Sequence, residues 1–340
     1  MNPSSNEAAF VESLRETVEQ LGAVAAYGRE IAPTIDHFYM VSCGAGHWIM
    51  QGMQWWADGI AKNIEFRTFT SADFIALNLP KLDNKATLVI LSSESGGTKE
   101  TLSAAKLVEG MACKTVVFTQ SVRSLLADHG HKKFFMGQTS QAYLATFMLM
   151  QVFLGGIWAE KEGWELLPKL LSSLRMFPNA LVSAAQQSEV RGKEIAARYR
   201  EGDQIYFLGS GPGKLVQDSF GLCLLEEKLK ITIRPVDADH FFHSTLEIVT
   251  KDTPHHFILI LTEDASREQM ERVVAFYKTH GGHMEIYDTK DYVMEGIDLE
   301  LRAMVAPYIA ERALKPYALS LSEKTGRSLS KLKYMGKVAY

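Results

Sequence analysis

Apolar residues recur at helical spacing through Phe10, Leu14, Val18, Leu21 and Val24. The pattern predicts a lead helix over residues 7–30, ended near Pro33. The period then changes. His37–Ser42 is a short, nearly continuous apolar run that reads as a strand, and it ends in Cys43-Gly44-Ala45-Gly46. A helix is expected from His47 to about Asn63, a second strand over Ile64–Phe69, and a short helix opening at Ser71-Ala72-Asp73-Phe74. Ala86–Ser92 is another buried strand, followed by a helical pattern through Ala104, Ala105, Leu107 and Val108. Further strands are expected at Thr115–Phe118 and Lys133–Met136, with a short helix at Ser124–Asp128 between them. Strands that alternate with helices predict a parallel sheet covered on both faces. Residues 139–200 read as helical almost throughout, with a break at Pro178.

The order of elements then recurs. Ile205–Gly209 leads into Ser210-Gly211-Pro212-Gly213, mirroring Phe38–Gly46, and His256–Asp264 takes the place of Leu88–Glu94 at nearly the same offset. Pro212–Lys230 is expected to be a helix, Ile231–Val236 a strand, Arg267–His280 a helix and Met284–Tyr287 a strand, with a helical stretch around Ala303–Leu321. Two related α/β units in tandem account for this recurrence. The expected division is a helical segment over 1–34, a first domain over 35–165, a helical linker over 166–200, a second domain over 201–328 and a tail over 329–340. That tail, from Lys331 to Tyr340, is unusual for a terminus because it holds aromatics and a Gly-Lys pair.

The bulk numbers narrow the classes. A chain of 340 residues suggests two domains, and 46% apolar residues mark it as globular. The net charge of -4 disfavours a nucleic-acid binder. Three cysteines, Cys43, Cys113 and Cys223, form neither a metal spacing nor a disulfide framework, which fits a reducing cytoplasm. The polar start of the chain carries no secretory signal, and a cytoplasmic location is expected. Ala142–Ala159 is apolar apart from Thr146 and Gln151 and approaches spanning length. Capping candidates before it and charges after it favour a core helix, one that a subunit interface would also suit. Trp48, Trp55 and Trp56 sit at helical spacing and are expected in the core, as is Cys43 at the end of a central strand.

The chemistry concentrates between a strand end and a helix start. Leu91-Ser92-Ser93-Glu94-Ser95-Gly96-Gly97-Thr98 joins the 86–92 strand to the helix after Thr98. The first turn of a helix has unpaired N–H groups and the positive end of its dipole. Small residues let an anion approach the backbone, and hydroxyls add donors. An ordinary N-cap is the plain alternative. Four hydroxyls and two glycines favour a phosphate. The equivalent Thr262-Glu263-Asp264-Ala265-Ser266 has lost its glycines and gained acids, so it is expected to be a poor phosphate site. No metal constellation is visible. Gly209-Ser210-Gly211-Pro212-Gly213 only loosely resembles a dinucleotide turn, and no cofactor is expected.

Cys43-Gly44-Ala45-Gly46, Ser93-Glu94-Ser95-Gly96-Gly97-Thr98 and the tandem repeat resemble the sugar isomerase (SIS) domain family over essentially the whole chain, including the ending at 334–340. The layout is similar to the isomerase half of glucosamine-6-phosphate synthase, and more closely to bacterial deglycases acting on fructosamine 6-phosphates. The resemblance implies an α/β fold of two tandem SIS domains, each a flavodoxin-like α/β/α sandwich with a mainly parallel sheet. It implies phosphate binding by Gly44, Gly46, Ser93, Ser95 and Thr98. A Glu on the helix after the second Gly-rich turn serves the family as base. Glu227 matches, because it stands sixteen residues before His243. His243 lies in a segment like the family's Phe-x-His-Gly-Pro-Leu-Glu-Ile and would act as an acid, often in a neighbouring subunit's site. Lys337 resembles the lysine of a tail that closes over the sugar. A homodimer or larger homo-oligomer is implied. Three positions depart from the family: Ser244-Thr245 replaces its Gly-Pro, Asp239-His240 its Gly-Glu, and Gly46-His47 stands where a Ser often ends the turn.

The reaction implied is removal of an amine from a ketosamine 6-phosphate. A carboxylate takes a proton from C1 and returns one at C2 through an enaminol, and water hydrolyses the imine to glucose 6-phosphate and free amine. Such a base works best when burial raises its pKa. Glu227 on a face with Leu222, Leu225 and Leu229 suits that role, the alternative being a solvated charge paired with Lys228 or Lys230. His243 can shuttle a proton, with His240 its rival, and Lys337 supplies a point charge. Glu94 beside a phosphate would be repulsive, so it is expected, like His240, to face the sugar or amine. Rival functions are an aldose–ketose or amino-sugar phosphate isomerase, or a non-catalytic sugar-phosphate-binding regulator.

Overall fold

The structure is a computed structural model that describes residues 3–252, 255–335, 337 and 338, with side chains from Asn6 onward. The chain divides into two compact units. One runs to Asn179 and includes Gly296–Leu301; the other holds Ala180–Glu295 and Arg302 onward.

The first unit carries a five-stranded sheet of β1 (His37–Ser42), β2 (Glu65–Thr70), β3 (Thr87–Ser92), β4 (Lys114–Thr119) and β5 (Lys132–Phe135). Every pairing is parallel and the order is β2-β1-β3-β4-β5. The central strand β3 is buried at every position, whereas edge strand β2 alternates with solvent, as expected of a parallel sheet covered on both faces. One face packs Tyr39, Val41, Val89, Leu91 and Val117 against the short Ser71–Leu77 helix and the Lys99–Leu107 helix. On the other, Phe118 meets Phe153 of the Ala142–Lys161 helix at 5.8 Å between ring centroids.

That apolar helix is long enough to cross a membrane, but 89% of its apolar window is buried inside the protein. The Arg15–Ile31 helix lies across it at backbone contact. A side chain on Gly28 would meet the Phe153 carbonyl at 2.3 Å, and one on Gly156 the Ala25 carbonyl at 2.1 Å. The expectation of a core helix is therefore met.

The second unit repeats the plan with β6 (Ile205–Gly209), β7 (Ile233–Asp237), β8 (His256–Leu261) and β9 (Met284–Asp288), again all parallel, in the order β7-β6-β8-β9. The recurrence extends to backbone conformation: Gly44 after β1 has φ +53° and Gly211 after β6 has φ +47°. Both positions need a residue that tolerates the left-handed region.

Four expectations are corrected. The Leu167–Gln187 helix runs through Pro178 without breaking. Proline costs one backbone bond, but the buried stripe of Leu170, Leu174, Phe177, Leu181 and Ala184 outweighs it. Trp55 is exposed and Trp48 and Trp56 only half-buried. In the Ala45–Ile60 helix the core stripe is Ile49, Met50, Met53 and Ala57, and Trp48 and Trp55, seven residues apart, share the opposite side. Cys43 is half-exposed, because it lies just past the end of β1. The helix expected over 212–230 is composite. A 3-10 turn over Gly211–Gly213 leads into a single α-turn, then a π-helix over Gln217–Glu226.

Candidate active site

In an open parallel sheet, ligands bind outside the carboxyl ends of the strands where the strand order reverses. In the first unit that point lies between β1 and β3. Both strands there end in small and hydroxyl residues, and both feed a helix start. The two ends are tied together, since Ser42 Oγ donates to the Ser92 carbonyl at 2.7 Å. Gly46 packs directly over this bond. A Cβ there would fall 2.3 Å from Ser42 Oγ, so any larger residue at 46 would have to displace the Ser42 hydroxyl from this bond.

The loop after β3 is pre-shaped. Ser93 Oγ and Thr98 Oγ1 lie 3.0 Å apart, the Gly96 N–H donates to Ser93 Oγ at 3.1 Å, and the Gly97 N–H donates to Ser95 Oγ at 3.2 Å. Thr98 is the N-cap of the Lys99–Leu107 helix, yet its hydroxyl makes no capping bond. The first turn of that helix is thus left without its usual side-chain acceptor. Ser93 is buried while Ser95 is exposed and Thr98 half-exposed, so the loop opens to solvent on the hydroxyl side. Gly96 anchors it from below at φ +62°, with a would-be Cβ 2.3 Å from that of Ser124. The Glu94 side chain is exposed, and its carbonyl accepts the Gln120 N–H at 3.1 Å. Gly44, Gly46, Ser93, Ser95 and Thr98 therefore lie on two adjacent strand ends. His47, just after the first turn, is held below the usual imidazole range by burial.

The equivalent loop of the second unit is already filled. Asp264 is buried and accepts from the Ser266 N–H at 2.9 Å, from Ser266 Oγ at 2.6 Å and from Thr262 Oγ1 at 2.5 Å. Ser266 Oγ also lies 2.9 Å from Ser210 Oγ, across from β6. Glu263 is held bidentate by Arg302 at 2.9 Å. The two acids that led to the expectation of a poor phosphate site are both engaged within the protein, with the Asp264 carboxylate where an anion's acceptor oxygens would sit.

The second unit also holds the expected proton-transfer residues. Glu227 follows the π-helix directly, and its N–H donates to the Leu222 carbonyl at 2.8 Å, five residues back. π-Helical turns are rare and concentrate at functional sites. Glu227 is half-buried, as is Leu222, while Leu225 and Leu229 are buried. Its carboxylate makes no hydrogen bond or ion pair among the described residues. Glu226, by contrast, is used structurally, accepting the Ile233 N–H at 3.2 Å. Lys230 bonds the Glu227 carbonyl rather than its carboxylate. Sequence spacing did not reveal that the π register sets Asp218 and Cys223 about one turn apart on the side of Glu227. Burial, together with the carboxylates of Glu227, Glu311 and Asp218, pushes the Cys223 thiol up to about 12, so it stays protonated. Burial and nearby Asp237 raise the Asp218 carboxyl to about 6.

His240 and His243 lie on one short helix, Ala238–His243, and both are exposed. Phe241 beside them is buried. His240 Nδ1 stands 4.0 Å from Asp237. Lys337 is exposed and donates to the Leu332 carbonyl within the tail. Gly336, Ala339 and Tyr340 of the tail motif lie outside the described residues.

No family model matches the chain. It is 41% identical to the agropine synthesis conjugase of Rhizobium rhizogenes, over 99% of this chain and 97% of that protein. It is 29% identical to the fructosamine deglycase FrlB of Bacillus subtilis, over 90% and 93% of the two chains. A solved structure of a candidate phosphosugar isomerase from Bacillus subtilis superposes with a TM-score of 0.84 at 27% identity, covering 98% of this chain and all of that one. The chain belongs to the sugar isomerase family. As a SIS protein it shares its parallel α/β architecture with the candidate phosphosugar isomerase, and its relatives include a protein named fructosamine deglycase.

Proposed function

We propose that this SIS protein is a cytoplasmic deglycase of a fructosamine 6-phosphate, releasing glucose 6-phosphate and a free amine through an enaminol. The two units are read as tandem SIS domains. The observation that carries the proposal is the β3 loop, whose Thr98 hydroxyl pairs with Ser93 instead of capping its own helix. In this reading Ser93, Ser95 and Thr98, with the backbone at Gly44 and Gly46, bind the 6-phosphate. Glu227, whose carboxylate is uncommitted among the described residues, takes the C1 proton and returns one at C2. His243, or His240, acts as acid in ring opening. Lys337 offers positive charge from the tail, and Glu94 and His240 meet the sugar or amine. The exposure of both histidines supports a role toward a second subunit in a homodimer or larger assembly.

The 41% relative is named a conjugase, which favours one second reading. The same steps run backwards join an amine to a sugar carbonyl, so the enzyme would work in the synthetic direction. One experiment separates the readings. The protein is incubated with fructoselysine 6-phosphate, with glucose 6-phosphate plus lysine or glutamine, and with fructose 6-phosphate plus ammonia. Glucose 6-phosphate and free lysine from the first supports the deglycase. Product accumulating only in the second supports the conjugase, and product only in the third leaves an isomerase.

A further inference from the structure

The second unit has a cavity of about 320 Å³ at the amino ends of β8 and β9, the end of the sheet opposite its β6–β8 switch point. It shares no residue with the groups assigned above. The volume sits at the low end of the roughly 300–1,000 Å³ typical of small-molecule sites, larger than a bare ion needs. Ile195, Phe257 and Ile258 supply an apolar floor. The rim is cationic: Arg198 at the end of the Glu189–Arg198 helix, Arg200, and the imidazoles of His255, His256 and His283.

Both carboxylates at this rim are already engaged. Asp203 accepts from His256 Nε2 at 2.8 Å and from the Arg200 N–H at 2.7 Å. Glu285 is shared by Arg191, Arg198 and His283. The lining itself thus carries two guanidinium groups, Arg198 and Arg200, and two carboxylates, Asp203 and Glu285, while Arg191 reaches Glu285 from outside it. Two donors are left over. The Arg200 guanidinium and the His255 ring make no hydrogen bond or ion pair among the described residues; His255 only packs against Tyr206, tilted by 44° with ring centroids 5.1 Å apart. A rigid guanidinium fork matches phosphate oxygens.

We infer that this cavity is a second anion site, taking a small phosphorylated metabolite whose phosphate meets Arg200 and His255 and whose carbon skeleton fills the rest of the cavity. Isothermal titration with glucose 6-phosphate and, separately, with inorganic phosphate tests it on four proteins: wild type, S93A/S95A, R200A/H255A and the combination. Wild type is expected to bind glucose 6-phosphate at two sites per chain. S93A/S95A keeps one, R200A/H255A keeps the other, and the combination keeps neither; the affected site weakens at least tenfold. Inorganic phosphate is expected to bind the cavity at least tenfold more weakly than glucose 6-phosphate; equal affinity would mean that the cavity holds an ion alone and would overturn the assignment. Wild-type stoichiometry of one, or R200A/H255A binding like wild type, also overturns it. An unchanged S93A/S95A titration removes only the β3-loop assignment. R200Q/H255Q, which keeps the side-chain bulk, must lose the same site, so that a folding defect is not mistaken for lost binding.

Discussion

If the β8 loop is an anion cradle occupied by its own carboxylate, removing that carboxylate should leave a vacancy that a free anion can enter. Asp264→Ala is the perturbation. It strips the acceptor from three donors, the Ser266 N–H, Ser266 Oγ and Thr262 Oγ1, in a buried site. An unsatisfied buried donor costs about 1–3 kcal/mol. Ser266 Oγ retains Ser210 Oγ as a neighbour and hydroxyls rotate, so the loss is about 2–5 kcal/mol rather than the full sum. At roughly 2–4 °C per kcal/mol for a unit of this size, the transition should fall by about 5–15 °C. The distinguishing step is rescue. Phosphate or sulfate at about ten times its dissociation constant should return about 1.4 kcal/mol to the variant by mass action. The wild type, with its cradle full, should gain far less. Differential scanning calorimetry across a phosphate series, against chloride at matched ionic strength, makes the measurement. A destabilised variant with wild-type phosphate dependence would refute the cradle, and would weaken the case for the β3 loop built on the same plan.

Other outcomes are expected on the same physical grounds. Glu227→Gln should fold and bind glucose 6-phosphate normally while kcat falls about 10²–10⁴-fold; turnover near wild type takes Glu227 out of the mechanism. Ser93→Ala should raise KM by about 10–100-fold, the loss of one hydrogen bond to a charged group, and steady-state kinetics reads it directly. Asp218→Asn should stabilise the second unit near pH 7.5. Its folded carboxyl titrates at about 6 against an ordinary 3.8, so the folded state binds more protons between those values and stability falls as pH rises through them. The advantage of Asn is full above pH 6 and absent below 3.8. That difference corresponds to about 3 kcal/mol, and solvent screening at a half-buried site leaves about 1 kcal/mol. Urea melts at about pH 3.5 and 7.5 check the sign, and an advantage at the acid end contradicts it. Gly28→Ala should cost about 1–3 kcal/mol by overpacking against the Phe153 carbonyl, seen as a lower urea midpoint.

Much of the architecture could be read from residue patterns because a parallel sheet leaves a plain signature. Thr87–Ser92 is buried along its whole length, and the run of apolar residues there is unbroken from Leu88 to Leu91. The two Gly-rich turns were legible as turns, and Gly44 and Gly211 in them do the same backbone work. The β3 loop was legible because hydroxyls and glycines are dense there. The rest failed for identifiable reasons. Leu222, Leu225 and Leu229 are spaced as suits an α-helix, and nothing in that spacing separates α from π winding over Gln217–Glu226. Trp48 and Trp55 are hydrophobic and periodic, but periodicity does not say which side of the helix the sheet covers. Pro178 reads as a breaker until the buried stripe on either side is known. Asp264 turns inward onto Thr262 and Ser266, and Arg200 and His255 stay uncommitted among the described residues, through three-dimensional packing that residue types alone do not record.

The crossing of Arg15–Ile31 over Ala142–Lys161 has a consequence in time. Synthesis runs from the amino end at about 5–20 residues per second. The amphipathic Arg15–Ile31 helix therefore leaves the ribosome roughly a hundred residues, or several seconds, before the apolar helix it covers. The segment most apt to be mistaken for a membrane anchor emerges into the presence of a ready partner. Gly28 and Gly156 permit that meeting to bring the two backbones into contact.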